Sequence, residues 1–101
     1  MGNYITRALS KGEKIHVYGY EAKVPNRMEN KDIAVLVPAD SSLKAGDYIY
    51  CKCHWWGLRK LEKIENGMFY VSWSGNLIAI EFEDIKGKVF EIRKKDEVIR
   101  L

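Results

Sequence analysis

At 101 residues the chain is long enough for one small core, with 47% hydrophobic and 31% charged residues, as in ordinary globular proteins. The net charge of +3 neither requires nor excludes nucleic acid. No apolar run approaches the roughly 20 residues of a membrane helix, and the first residues lack the apolar core of a secretory signal. We therefore expect one domain over residues 1–101, inside a cell, with no membrane partner.

In chain order, one short helix precedes about seven short strands. Residues 3–10 fit two helical turns, and residues 22–31 form a polar loop. Segment 56–64 also fits helical spacing, but the Asn66-Gly67 turn that follows makes it the first arm of a hairpin with residues 67–73. Strands separated by turn signals at roughly ten-residue spacing predict a mainly β fold, a small barrel or sandwich. The predicted strands are 14–21, 32–38, 47–53, 56–64, 67–73, 76–82 and 88–94.

The stretch CKCHWWG holds three residues that ligate metals, Cys51, Cys53 and His54. Structural zinc commonly needs four ligands arranged in two pairs, and two cysteines at i and i+2 do not supply them. We expect no metal and no cofactor. Alternating strand geometry instead places Cys51 and Cys53 in the core with Ile49, as small apolar groups.

Trp55 and Trp56 follow directly, at the bend between two predicted strands. Adjacent strand residues face opposite sides, so one ring is expected to be exposed. An exposed tryptophan beside His54, Arg59 and Lys60 would be an amphipathic anchor for a protein interface, or a platform for stacked bases. The alternative is that the 22–31 loop and the N-terminal segment cover both rings.

Four short motifs occur in this order along the chain: Asp40-Ser41-Ser42, Gly46-Asp47, Leu58-Arg59-Lys60-Leu61 and Asp84-Ile85-Lys86-Gly87-Lys88-Val89. Together they resemble the β core shared by LexA-type phage repressors and type I signal peptidases. The resemblance spans residues 33 to 94. It implies a serine nucleophile in the first motif and a lysine base in the third.

This chain departs from the family at the base, because Arg59 stands at the lysine position. A guanidinium stays protonated and offers no acceptor, so Arg59 cannot take a proton from Ser41. Lys60 is the alternative base, but strand alternation turns it away if Arg59 faces the site. We therefore expect no catalytic residue, with Ser41 and Arg59 as vestiges. Ser41 and Ser42 then serve as turn residues.

The resulting hypothesis is a catalytically inactive interaction or regulatory module with a protein partner. The resemblance implies a phage or mobile-element origin, the cytoplasm of a bacterial host, and a homodimer. One alternative is a nucleic-acid-binding barrel of the SH3-like or OB-like kind, and another is an active Ser-Lys peptidase or autopeptidase. The predicted binding residues are His54, Trp55, Trp56, Arg59 and Lys60.

Overall fold

A computed structural model describes residues 3–24 and 26–101, and in this part of the chain it confirms the mainly β fold. One helix, α1, precedes eight strands, and a single 3-10 turn at Phe82–Asp84 follows β6. No helix among these residues is long and apolar enough to span a membrane. The elements are α1 Asn3–Ser10, β1 Ile15–Tyr18, β2 Ile33–Pro38, β3 Tyr48–Cys53, β4 Trp55–Glu65, β5 Met68–Trp73, β6 Asn76–Ile80, β7 Ile85–Arg93 and β8 Val98–Arg100.

The strands form one antiparallel sheet in the order β1-β2-β7-β3-β4-β5-β6. β7 is a central strand. β2 pairs along one edge of β7, and β3 and β8 pair with different parts of its other edge. The predicted strands match β1 to β7, whereas β8 was not predicted. Buried apolar side chains cover both faces of the sheet, and they form two separate cores, one on each face.

Core one, as we call it, lies between the sheet and α1, which contributes Ile5 and Leu9. The close approach of α1 depends on Gly87, because a Cβ there would lie 2.7 Å from Leu9 Cδ1. The segment expected to be a polar loop also enters this core. The described residues 22–24 and 26–31 lie in no helix or strand, as predicted, but Ala22, Val24 and Met28 are buried, so the segment is not simply a polar loop.

Core two lies on the opposite face and contains both cysteines, which confirms their predicted packing with Ile49. Cys51 is fully buried, and this burial raises the pKa of its thiol to about 12. The buried residues of core two are Leu43, Ile49, Cys51, Cys53, Leu61, Val71, Ile80 and Ile85.

The hairpin of β4 and β5 forms as predicted, through a turn in which both Asn66 and Gly67 have positive φ, 53° and 78°. β4 is longer than its partner and changes neighbours along its length. Residues 55–60 pair with β3, and pairing with β5 begins at Leu61. The first half of β4 is therefore paired along one edge only within the described chain.

Candidate interaction surface

A single residue, His54, connects β3 to β4 and brings both tryptophans to the start of β4. Cys53 pairs directly with Trp55, and His54 adopts a left-handed φ of 70°. Tight connections of this kind hold the flanking strands in register. The Trp55 and Trp56 backbones therefore belong to a paired strand rather than to a loop.

Strand alternation divides the predicted binding residues between the two faces of β4. Trp56 and Lys60 lie on the side of core one, opposite Lys52 and Tyr48, whereas Arg59 lies on the side of core two, opposite Ile49. By the same alternation Trp55 shares the side of Arg59. The five residues therefore form two groups rather than one patch.

Trp56 is half-buried and has a packing role. Its ring stacks on Tyr50 with centroids 5.5 Å apart and an interplanar angle of 14°. Tyr50 is itself buried in core one, which raises the pKa of its phenol. Trp56 therefore extends the aromatic packing of core one and leaves little of its ring for a partner.

Trp55, by contrast, is 67% exposed. Beside it in the chain, His54 packs against Trp73 with ring centroids 5.0 Å apart. The guanidinium carbon of Arg59 lies 4.4 Å from the centre of the same Trp73 ring. We call Trp55 with His54, Arg59 and Trp73 the Trp55 surface.

Arg59 is held by an aromatic ring and a carbonyl rather than by an acid. Its Nη2 donates to the Cys53 carbonyl oxygen at 3.4 Å, and no salt bridge to Arg59 occurs among residues 3–24 and 26–101. Its Nε is buried and has no hydrogen-bond partner in the described part. Cation–π stacking on a tryptophan contributes about 0.5–1 kcal/mol at exposed sites and more where water is excluded. The side chain is thus positioned, yet its charge is not neutralised locally.

A cavity of about 440 Å³ borders the half-paired part of β4. Leu58, Arg59 and Lys60 line it from β4, and Ser72 lines it from β5. Asn26 and Arg27, from the segment before β2, complete the wall, so the cavity lies between β4, β5 and this segment. Lys60 is exposed at its rim, on the opposite side of the strand from the Trp55 surface.

The two serines lie elsewhere, in an exposed turn closed by Asp40. The Ser42 backbone N–H and hydroxyl both donate to Asp40 Oδ1, at 2.9 and 2.5 Å. These hydrogen bonds lower the pKa of the Asp40 carboxyl. Ser41 lines a separate, mainly apolar cavity of about 580 Å³ with Leu43, Ile64, Phe69 and Phe82.

The structure does not join the serines to the basic pair. Within the described residues neither serine hydroxyl is hydrogen-bonded to Arg59 or Lys60, and the cavities that these side chains line share no residue. Ser42 has the hydrogen bonds of a turn residue. Nor does any group of three or more His, Cys, Asp or Glu side chains come together as metal ligands would in the described part of the chain.

The sequence motifs singled out neither Trp73 nor Gly57. Trp73 does pack on core two, but it also carries Arg59 and His54. Its position at the end of a predicted strand, just before the Ser74-Gly75 turn, was the available signal. Gly57 gave another signal, because glycine is uncommon in a strand interior.

No family model matches the chain, and comparisons with curated proteins and with solved structures found no match either. These comparisons neither support nor refute the resemblance to LexA-type repressors and signal peptidases. The function has to be argued from the geometry of this chain.

Proposed function

We propose that the protein is a non-catalytic interaction module that binds a protein partner through the Trp55 surface. The observation that carries the proposal is the exposure of Trp55 on a paired strand, beside the cation–aromatic cluster of Arg59, Trp73 and His54. Tryptophan and arginine are the residues most enriched at the energetic centres of protein interfaces. Arg59 is held against the Trp73 ring and the Trp55 backbone is paired with Cys53, and this preorganisation lowers the entropy cost of association.

The state of Arg59 favours a protein partner. A guanidinium has five N–H donors, and the structure gives one hydrogen bond from this side chain, to the Cys53 carbonyl. The carbonyl and carboxylate oxygens of a protein would accept from the remaining accessible donors. Binding of nucleic acid would instead draw on the cations that border the 440 Å³ cavity, Arg27, Arg59 and Lys60, and Trp55 is not among the residues that line it.

The proposal excludes Ser-Lys chemistry at Ser41, because a serine needs a neighbouring base to accept its proton, and in the described part of the chain neither serine hydroxyl is hydrogen-bonded to a lysine. A regulatory role in the cytoplasm of a bacterial host, on behalf of a phage or mobile element, is part of the same proposal. That part rests only on the resemblance of the motif order.

Photo-crosslinking tests the proposal. A photoreactive phenylalanine is placed at position 55, or at position 77 as the control, since Leu77 is also exposed, at 53%, but lies on β6. We expect protein adducts from position 55 and few from position 77, and loss of binding of the adduct partner in Trp55→Ala. Trp55-dependent binding of labelled single-stranded DNA that weakens steeply between low and moderate salt would contradict the proposal. Serine-dependent peptide cleavage would contradict its non-catalytic part.

A further inference from the structure

We propose that the partner of the Trp55 surface is a second copy of this chain, joined by antiparallel pairing of the two β4 edges about a two-fold axis at Gly57. This inference rests on the proposed function and names its partner. It depends on three features of residues 55–59: an open strand edge, a glycine that the single chain does not need, and side chains that complement one another in this register.

The open edge is defined by the backbone hydrogen bonds of Leu61. Its N–H donates to the Asp47 carbonyl at 2.8 Å, and its carbonyl accepts from the Gly46 N–H at 2.8 Å, so both groups point toward β3. Register between β3 and β4 is continuous from Lys60 to Trp55. By alternation, the N–H and C=O groups of Trp56 and Leu58 point away from β3, to the edge without a strand partner in the described chain. Such an edge is a template for another strand.

Neither the backbone conformation nor the packing of a single copy requires glycine at position 57. It is not among the glycines with positive φ, and a Cβ built on it would meet no atom within 4 Å. A glycine in a strand interior weakens the strand, and it often marks a place where another backbone approaches closely. On a two-fold axis Gly57 would face Gly57 of the second copy in a non-hydrogen-bonded pair, where Cα atoms approach to about 4.5 Å.

The same register makes the flanking residues complementary. Trp56 and Leu58 of one copy would exchange backbone hydrogen bonds with Leu58 and Trp56 of the other. On the core-two side, Trp55 would lie opposite Arg59 of the second copy, and the same pair would occur twice. The centre of the Trp73 ring already lies 4.4 Å from the guanidinium carbon of Arg59. A second tryptophan would cover the cation further. One interface would thus bury two exposed tryptophans and give each Arg59 guanidinium a second aromatic contact.

Charge substitution at the axis provides the test. Gly57→Lys and Gly57→Asp are made separately, and sedimentation velocity follows each variant over a concentration series, alone and in an equal mixture. We expect a dimer for the unsubstituted chain. Each variant alone should dissociate at least about 100-fold more readily because like charges meet at the axis, and the mixture should recover most of the affinity. Leu77→Lys on β6 is the matched edge control and should remain dimeric.

A second variant gives a positive signal. Cα atoms about 4.5 Å apart satisfy the geometry of a disulfide, so Gly57→Cys should form a covalent dimer under mild oxidation, and Leu77→Cys should not. The native Cys51 and Cys53 are buried and should not interfere. Circular dichroism confirms that each variant is folded.

A monomeric chain at every concentration, or a dimer that neither Gly57 charge variant weakens, would overturn the inference. If the chain is monomeric but position 55 still crosslinks to a different protein, the second-copy inference fails and the proposed function stands. If position 55 gives no protein adduct and the chain is monomeric, both fail.

Discussion

The thiol of Cys51 should be almost inert in the folded protein. The perturbation is a thiol reagent, such as an aromatic disulfide that releases a coloured thiolate, added at pH 8. Burial raises the pKa of Cys51 from its ordinary value of 9.0 to about 12. The thiolate is the reactive species. Because the pKa rises by about three, the fraction of Cys51 that is thiolate at pH 8 falls roughly 1000-fold. The complete burial of the side chain slows the reaction further.

A single-cysteine variant makes the assay unambiguous. Cys53→Ala leaves Cys51 as the one thiol, and its reaction rate is measured by absorbance in buffer and in concentrated guanidinium chloride. We expect a rate in buffer at least about 1000-fold below the rate in denaturant. The residual reaction in buffer should follow the rare opening of core two, and it should therefore accelerate with small additions of denaturant.

A prompt reaction of Cys51 in buffer, at a rate near that in denaturant, would refute the reasoning. It would mean that core two does not enclose this thiol. The interpretation of Cys51 and Cys53 as small apolar core residues would then fail, and a metal-binding or redox role for the CKCHWWG stretch would have to be considered again.

Three further predictions concern stability and are measured by urea unfolding. Gly87→Ala should lower the free energy of unfolding by about 1–3 kcal/mol, because the new Cβ would lie 2.9 Å from the Val37 carbonyl oxygen, and an unchanged midpoint would contradict this packing. Gly67→Ala should cost about 1 kcal/mol, because φ is 78° in the turn, and a stabilised variant would show that the turn differs. Asp32 accepts a hydrogen bond from Lys94 Nζ at 2.6 Å, and this bond lowers the pKa of its carboxyl. Asp32→Asn should therefore destabilise the protein at neutral pH, and the difference from the unsubstituted chain should shrink as pH falls below about 4, through the lowered pKa; an equal loss at pH 2 and pH 7 would contradict this.

The sequence predicted most of the fold because its strong signals are local. Alternating runs, a continuous apolar run and aromatic or β-branched composition marked β1 to β7, and the Asn66-Gly67 pair fixed the hairpin that made residues 56–64 a strand rather than a helix. β8 was missed because Val98–Arg100 is only three residues long and is a strand through its pairing with β7. The burial of Val24 and Met28 was not predicted for a related reason, because both stand among charged residues in the sequence and pack only through contacts with distant parts of the chain.

For the candidate site, the sequence predicted that Trp55 and Trp56 face opposite sides but not which ring is exposed. That choice depends on which alternate residues of β4 enter core one. Pairing of Leu58 with the buried Tyr50 settles it, and this contact joins two strands rather than neighbours in the turn. The same pairing separates Arg59 from Lys60. The contact between Arg59 and Trp73 could not be predicted from neighbouring residues in the sequence, because it forms only when β5 pairs with β4.

The open edge of β4 follows from two turns whose positions can be read in the sequence. The Asn66-Gly67 turn pairs Glu65 with Met68, and the pairing then runs back along β4 as far as Leu61 and Val71, with one register shift between Leu61 and Lys63. The chain then reverses at Ser74-Gly75, where both residues again have positive φ, so β5 ends at Trp73. β5 is therefore too short to accompany β4 to its beginning at Trp55, whereas the one-residue connection at His54 holds β3 against the whole first half of β4. A strand with one long and one short neighbour has an uncovered edge, and in this chain the uncovered segment carries the exposed tryptophan and the unexplained glycine.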